Sequence, residues 1–198
     1  MVDVDLRAKL KPLYAAKIAP ALVDVPALNT LMIDGAGAPA AEPFQAAVQA
    51  LYTCAYTLKF HAKKHLGMTW PVMPLEAVWF AADGGLLDLA RTEAWAWQAF
   101  IVVPDEVTPG LLESVRAQCV AKAPAAAKVR VERFEEGRCA QVLHVGPYDT
   151  EPATVAKLDA FAAAQGLTVR GRHHEIYMGD PRRAPPERWR TIIRHPVG

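Results

Sequence analysis

Two halves of the chain carry the same order of apolar segments, and this repeat restricts the possible folds more than any other feature. The first half begins with a short β-branched run at 28–33. A helical pattern follows over 42–65, with apolar residues at spacings of three and four. Extended segments at 75–80 and 97–103 complete the unit. Its order is strand, helix, strand, strand.

The second half repeats that order after a helix that begins at Thr108, an N-cap residue followed by proline. An extended segment at 139–145 precedes a helical pattern over 151–165. Extended segments at 173–178 and 189–195 close the chain. The repeat lies in the order and pattern of the elements and not in residue identity.

The repeat predicts an α+β fold of two β-α-β-β units related by a pseudo-twofold axis. We expect an antiparallel sheet with helices on one face and a ligand cleft between the halves. Residues 1–20 are predicted to be an N-terminal extension and residues 21–198 a single ligand-binding domain. Within that domain, repeat one spans about 25–105 and repeat two about 128–197.

Composition and charge exclude several classes of function. Lys plus Arg (22) nearly balance Asp plus Glu (21), so we expect no direct contact with nucleic acid. No apolar run approaches the roughly 18 residues that cross a bilayer, and the N-terminal stretch lacks the apolar core of a secretory signal. Three widely separated cysteines offer neither a disulfide framework nor a metal knuckle. A cytoplasmic protein without cofactor or metal is expected.

The segment 173–178 is the most informative stretch, because side chains alternate across a strand. One face carries His173, Glu175 and Tyr177, and the other carries His174, Ile176 and Met178. Ile176 and Met178 suit a core beneath helices. Glu175 then either forms an ion pair on a solvated face or lies at the floor of a ligand cleft. In a cleft it would pair with a cationic ligand or act as a general base.

Tryptophans provide the second signal. Trp79 lies in mid-strand with Ala77 and Ala81 on its own face, so there is room beside its ring. Trp95 and Trp97 alternate with smaller residues, and we expect one or both to face the same way as Trp79. These rings either fill the core or grip a flat or cationic ligand.

Other chemistry is poorly supported. His173 and His174 are adjacent on a strand and point to opposite faces, so they do not jointly bind one metal ion. Ser114 is the only serine, and it lies in a helical pattern without a nucleophile elbow. Serine hydrolase chemistry is therefore excluded.

Two stretches of the second half resemble the signature segments of GyrI-like proteins. They are 144–149, followed by 151–154, and the longer stretch 173–181. The first half resembles a larger bacterial subfamily of the same family, with matching pieces at 31–35, 51–60, 73–76 and 95–105. The resemblance runs from about residue 20 to the end of the chain.

This resemblance implies two β-α-β-β units with a ligand in the cleft between them. In the family, aromatic rings wall the cleft and an acidic residue on the strand of the Glu-Ile-Tyr motif points into it. Glu175 and Tyr177 match that motif, and Tyr148 matches the Gly-Pro-Tyr turn. Trp79 and Trp97 match the aromatic cage by position. These five residues are the expected ligand contacts, with Glu175 as the catalytic residue if there is one.

The family leaves three functions open. The first is sequestration of small hydrophobic, planar or cationic xenobiotics by a stand-alone binder, since no helix-turn-helix segment precedes the domain. The second is a hydrolase that opens strained cyclopropane rings of DNA-alkylating natural products. The third is inhibition of DNA gyrase through protein contact. A monomer is expected, because the repeat provides twofold symmetry within one chain.

Overall fold

The computed structural model describes residues 1–83, 87 and 91–198, and this part of the chain contains both helices and strands. The strands in this part are β1 (Val2–Asp3), β2 (Ala21–Val25), β3 (Leu28–Ala36), β4 (Met68–Thr69), β5 (Leu75–Ala81), β6 (Trp95–Val102), β7 (Arg130–Phe134), β8 (Gly137–Val145), β9 (His173–Tyr177) and β10 (Arg190–Pro196). The α-helices are α1 (Leu6–Lys9), α2 (Lys11–Tyr14), α3 (Glu42–His65), α4 (Pro109–Lys122) and α5 (Glu151–Ala164).

One curled antiparallel sheet contains eight of these strands, in the order β2-β8-β10-β9-β5-β6-β3-β7. Strands β5 and β9 pair at its centre and join the two halves of the chain, with Ala77 opposite Glu175 and Trp79 opposite His173. Strands β1 and β4 form a separate parallel pair. The predicted mixture of helices with a large antiparallel sheet is confirmed. The pseudo-twofold relation of the halves stays a prediction, as do the domain boundaries.

Helix α3 covers the 42–65 range that the periodicity predicted. Pro43 lies in its first turn, where no backbone donor is lost, and basic residues in the last turn suit the negative end of the helix dipole. Its buried stripe consists of Phe44, Ala47, Leu51, Cys54, Leu58 and Ala62. Helix α4 begins as predicted, because the Thr108 hydroxyl accepts a hydrogen bond from the Leu111 amide at 3.2 Å. No helix among the described residues is long and apolar enough to cross a membrane.

The long helices lie on the Glu175 face of the sheet, and the helix that covers Ile176 and Met178 is the short α2, whose Tyr14 packs against their cluster. Phe44 of α3 packs on Trp79, with ring centroids 4.9 Å apart, and Trp79 shares the Glu175 face. Leu158 of α5 packs with Ile193, which lies opposite Glu175 in β10. Alternation correctly separated the two faces, but it gave no information about which elements would cover each one.

The N-terminal segment covers the opposite face. Leu6, Leu10 and Leu13 are buried in the core. Tyr14 packs against the cluster around Ile176, and its hydroxyl donates to the Glu76 carboxylate at 2.6 Å. Leu6, Leu10, Leu13 and Tyr14 therefore take part in the packing of the core.

A buried ionic cluster lies on that second face. His174 Nδ1 is 2.9 Å from the Glu136 carboxylate, and His174 Nε2 is 3.1 Å from the Glu76 carboxylate. Arg194 is also buried and lies 3.5 Å from Glu136. Burial disfavours the charged imidazole of His174, but the two carboxylates outweigh burial and raise its pKa. Each buried charge thus has an oppositely charged partner.

Gly35 is required where β3 passes the ring of Trp97. The two residues are opposite each other in the β3–β6 pair, and a Cβ atom on Gly35 would overlap the Trp97 indole.

We predict that Gly35→Ala lowers the free energy of unfolding by about 1–3 kcal/mol, because the buried indole has no room to move. Urea denaturation measures the change. The matched control is Gly179→Ala, whose Cβ would meet nothing within 4 Å; equal stabilities for the two variants would contradict the prediction.

Candidate functional site

A cavity of about 2000 Å³ is lined by residues of helix α3, the start of helix α5 and strand β9. Its walls are rich in aromatic side chains, namely Tyr14, Phe44, Tyr52, Tyr56, Phe60, Trp95, Tyr148 and Tyr177. Glu151, His173 and Glu175 supply polar groups within this lining. Aromatic walls with convergent polar groups are typical of small-molecule sites.

The Glu175 carboxylate is buried and has three hydrogen-bond donors. His173 Nε2 lies 3.0 Å from its Oε1, and the hydroxyl of Tyr177 and the carboxyl of Glu151 also donate to it. His173 and Tyr177 flank Glu175 at two-residue spacing, so the pleat of β9 places all three on one face. Burial alone would raise the pKa of Glu175, but these donors outweigh burial and hold it below its usual value.

Glu151 supplies a second buried carboxyl group from the first turn of α5. Burial, together with the negative charge of Glu175 and the hydrogen bond between the two side chains, raises the pKa of Glu151 to about 9. The Thr191 hydroxyl donates a hydrogen bond to Glu151, and this bond acts to lower the pKa of Glu151. At neutral pH Glu151 is therefore protonated while Glu175 is ionised. Two neighbouring carboxyl groups with separated pKa values are an acid–base pair.

One candidate ligating atom from each of Glu151, His173 and Glu175 lies within 4.8 Å of the others. That spacing is compatible with a metal ion. However, His173 Nε2 is hydrogen-bonded to Glu175 and His173 Nδ1 lies 3.0 Å from His195 Nε2. In this structure the three side chains therefore form one hydrogen-bonded cluster, and a site without a metal stays a prediction.

Tyr177 links the carboxylate to the tryptophan behind it. The Trp79 indole N–H donates to the Tyr177 hydroxyl at 3.2 Å, and this hydroxyl in turn donates to Glu175. Because the indole nitrogen can only donate, the phenol oxygen accepts from it, and the phenol proton is left free to bond to Glu175. Trp79 thus orients Tyr177 through a hydrogen bond.

Trp79 and Trp97 do not line the cavity in this structure. Both are fully buried, and Phe44 lies between their rings and the cavity, with centroids 4.9 Å from Trp79 and 5.1 Å from Trp97. Trp95, whose ring centroid is 5.3 Å from that of Trp79, does line the cavity. Direct ligand contact by Trp79 and Trp97 stays a prediction; it requires Phe44 to move.

Tyr148 belongs to the lining of the cavity, and its contact with a ligand stays a prediction. Its ring meets that of Tyr177 edge-on at 6.1 Å and packs beside Trp189 at 5.0 Å. Burial and the nearby carboxyl groups of Glu175 and Glu151 raise the pKa of Tyr148 to about 12. The phenol therefore remains neutral and can donate a hydrogen bond to a ligand.

Sequence reasoning missed two parts of the site. Glu151 begins a helix, where an acidic residue is ordinarily explained by the helix dipole, so nothing marked it as a partner of Glu175. Tyr52, Tyr56 and Phe60 form a stacked row along α3, with successive ring centroids 6.4 Å apart. Their spacing of four residues was the available signal, because residues at that spacing lie on one face of a helix.

Known proteins resemble this chain over almost its whole length. The model of the GyrI-like small-molecule-binding domain matches residues 19–197. Among solved structures, a conserved protein from Listeria innocua that is described as uncharacterized shares 40% identity, with 98% of this chain and 100% of that chain covered and a TM-score of 0.91. A hydrolase from Listeria innocua shares 37% identity, with 98% of this chain and 100% of that chain covered and a TM-score of 0.86. A second hydrolase from Listeria innocua shares 38% identity, with 99% of this chain and 100% of that chain covered and a TM-score of 0.88. No curated protein matches.

The raised pKa of Glu151 predicts how stability depends on pH. A group whose pKa is higher in the folded state than in the unfolded state stabilises the folded protein. This contribution is complete below the pKa of the unfolded state, and it is lost as the pH rises through the pKa of the folded state. The free energy of unfolding should therefore fall as the pH rises from about 4.5 to about 9. In Glu151→Gln, which keeps the shape but does not titrate, we expect this part of the fall to be absent.

Urea unfolding at a series of pH values measures the effect. Glu106→Gln, at an exposed position in the loop before α4, is the matched control and should retain the wild-type fall. A profile of Glu151→Gln that runs parallel to the wild-type profile would mean that Glu151 does not hold its proton in the folded protein.

Proposed function

The chain belongs to the GyrI-like family of small-molecule-binding domains, and from this premise we propose that it binds a small, planar, largely apolar molecule and hydrolyses it. The hydrolysed bond is a strained carbon–carbon bond of a cyclopropane ring. The observation that carries the proposal is the buried pair of Glu151 and Glu175 in the cavity lining, whose pKa values are shifted in opposite directions.

The cavity supports the binding part of this proposal. Aromatic side chains provide area and stacking surfaces for a flat molecule. A volume of about 2000 Å³ exceeds the roughly 300–1,000 Å³ of most ligand pockets, so an extended ligand of several rings fits. Glu175 already accepts from three donors. A cationic ligand would have to compete with them, which favours a neutral ligand.

The carboxyl pair supports the catalytic part. Glu175, which is ionised, takes a proton from a water molecule as the water oxygen forms a bond to a carbon of the cyclopropane ring. The strained carbon–carbon bond breaks, and its electron pair moves to a conjugated carbonyl oxygen. Glu151, which is protonated, gives its proton to that oxygen. The product is the ligand plus one water.

The pair restores itself without an outside reagent. After the reaction Glu175 holds the proton that came from water, and Glu151 is ionised. Their direct hydrogen bond allows the proton to return from Glu175 to Glu151, whose raised pKa makes it the stronger base. The two relatives that are named hydrolases, at 37% and 38% identity, support the same reaction class.

Sequestration without turnover is the second candidate, and the same cavity favours it. Under sequestration the bound compound remains chemically unchanged, whereas under hydrolysis it is converted to a product. Inhibition of gyrase by protein contact stays a prediction from the family resemblance, as do the monomeric state and the cytoplasmic location.

Tryptophan fluorescence and mass spectrometry distinguish these functions. We expect planar and strained-ring compounds to quench the fluorescence, since Trp95 lines the cavity. After incubation, a cyclopropane-containing binder should gain the mass of one water. Glu175→Gln should retain quenching but lower the rate of conversion at least about a hundredfold, because it removes the general base.

The control is Glu106→Gln, which makes the same chemical change at an exposed position and should retain both binding and conversion. Quenching by compounds that remain unchanged in the wild-type protein would establish sequestration in place of hydrolysis. Conversion at the wild-type rate by Glu175→Gln would rule out Glu175 as the base. The absence of quenching by every compound would contradict the assignment of the cavity.

A further inference from the structure

A chain of hydrogen-bonded groups leads from the floor of the cavity to the protein surface. His173 Nε2 lies 3.0 Å from Glu175 Oε1, and His173 Nδ1 lies 3.0 Å from His195 Nε2. His195 Nδ1 lies 2.9 Å from Asp159 Oδ1. Both imidazole side chains are buried (7% exposed each), whereas the Asp159 side chain is 48% exposed. The chain joins β9, β10 and α5 and ends in solvent.

Counting protons fixes the charge of the two imidazoles. The chain has three hydrogen bonds, and its two ends are carboxylates, which only accept. The bond to Glu175 requires a proton on His173 Nε2, and the bond to Asp159 requires one on His195 Nδ1. The central bond between the rings requires a third. Two neutral imidazoles carry two ring protons, so the pair carries one excess proton and one positive charge.

We propose that the His173–His195 pair is a relay that shifts its positive charge away from Glu175 when Glu175 becomes protonated. The proposal rests on the proposed function, because general-base catalysis is the step that protonates Glu175. His173 and His195 are positioning residues and do not react with the ligand.

A single proton transfer accomplishes the shift. In the resting state His173 carries the charge and donates to both Glu175 and His195. When Glu175 takes a proton from water, the proton of the central bond moves from His173 Nδ1 to His195 Nε2. The positive charge then lies on His195, beside Asp159, and returns when Glu175 passes its proton to Glu151. No proton enters or leaves the chain.

Electrostatics explain why the relay is useful. A buried imidazolium that is hydrogen-bonded to an ionised Glu175 is a paired charge. Once Glu175 is protonated, the negative charge of the carboxyl pair lies on Glu151, so His173 loses its charged hydrogen-bond partner, whereas His195 keeps the carboxylate of Asp159. Burial and the neighbouring His173 imidazole lower the pKa of His195, while its hydrogen bond to the Asp159 carboxylate acts to raise it. The titratable groups that face the pair are Glu136, Glu151, Asp159 and Glu175.

The first test is nitrogen NMR of protein labelled with ¹⁵N in its histidine rings, without any ligand. We expect three protonated ring nitrogens on His173 and His195 together at neutral pH in the wild-type protein. In Asp159→Asn, which removes the charge that stabilises the pair, we expect the excess proton to be lost at a pH lower by about one unit. His195→Gln assigns the signals, and Asp24→Asn, a solvent-exposed change on β2, is the matched control.

Two neutral rings in the wild-type protein, or the same titration in Asp159→Asn, would overturn the relay. This result does not depend on turnover, so it decides the charge of the pair even if no compound is hydrolysed and the proposed function fails.

The second test uses a compound that the wild-type protein converts. We expect Asp159→Asn to lower kcat about tenfold with KM unchanged, and to move the alkaline limb of the kcat profile to lower pH. Asp24→Asn should match the wild-type protein. A wild-type kcat and pH profile in Asp159→Asn would overturn the relay while leaving hydrolysis established.

Discussion

Pairing of β5 with β9 is the contact on which the site depends. These two strands come from different halves of the chain and meet at the centre of the sheet. Their register brings Trp79 within hydrogen-bond distance of Tyr177 and places both on the face that carries Glu175. Because a shift of one residue would turn every side chain of a strand to the opposite face, this register determines which residues form the floor of the cavity.

Burial of Glu175 is tolerated because its neighbours compensate for the lost hydration. An isolated carboxylate would take up a proton in such a place, but three donors keep this one ionised. Two of the donors come from β9 itself and one from the first turn of α5. Burial, together with the negative charge of the adjacent Glu175, raises the pKa of Glu151 and leaves it protonated. One compact contact thereby yields both an acid and a base.

Adjacent histidines serve opposite faces of the sheet. His173 joins Glu175 and His195 on the side of the cavity, whereas His174 lies between Glu76 and Glu136 on the side covered by the N-terminal segment. Each imidazole lies within hydrogen-bond distance of a carboxyl group or of another imidazole. On both faces of the sheet, therefore, the buried histidine has hydrogen-bonding partners. The sheet thus separates a buried ionic cluster from the cluster that lines the cavity.

Periodicity and turn residues alone determined most elements, including the full extent of α3 and the start of α4, because these depend on contacts within a few residues. The alternation along β9 likewise placed His173, Glu175 and Tyr177 on one face. What covers each face, and which residue Glu175 meets, depends on contacts between distant segments. Glu151, His195 and Asp159 therefore joined the site only in the tertiary structure. Trp79 and Trp97 have the expected orientation, but the position of Phe44, set by the packing of α3 on the sheet, decided that they lie behind the cavity wall.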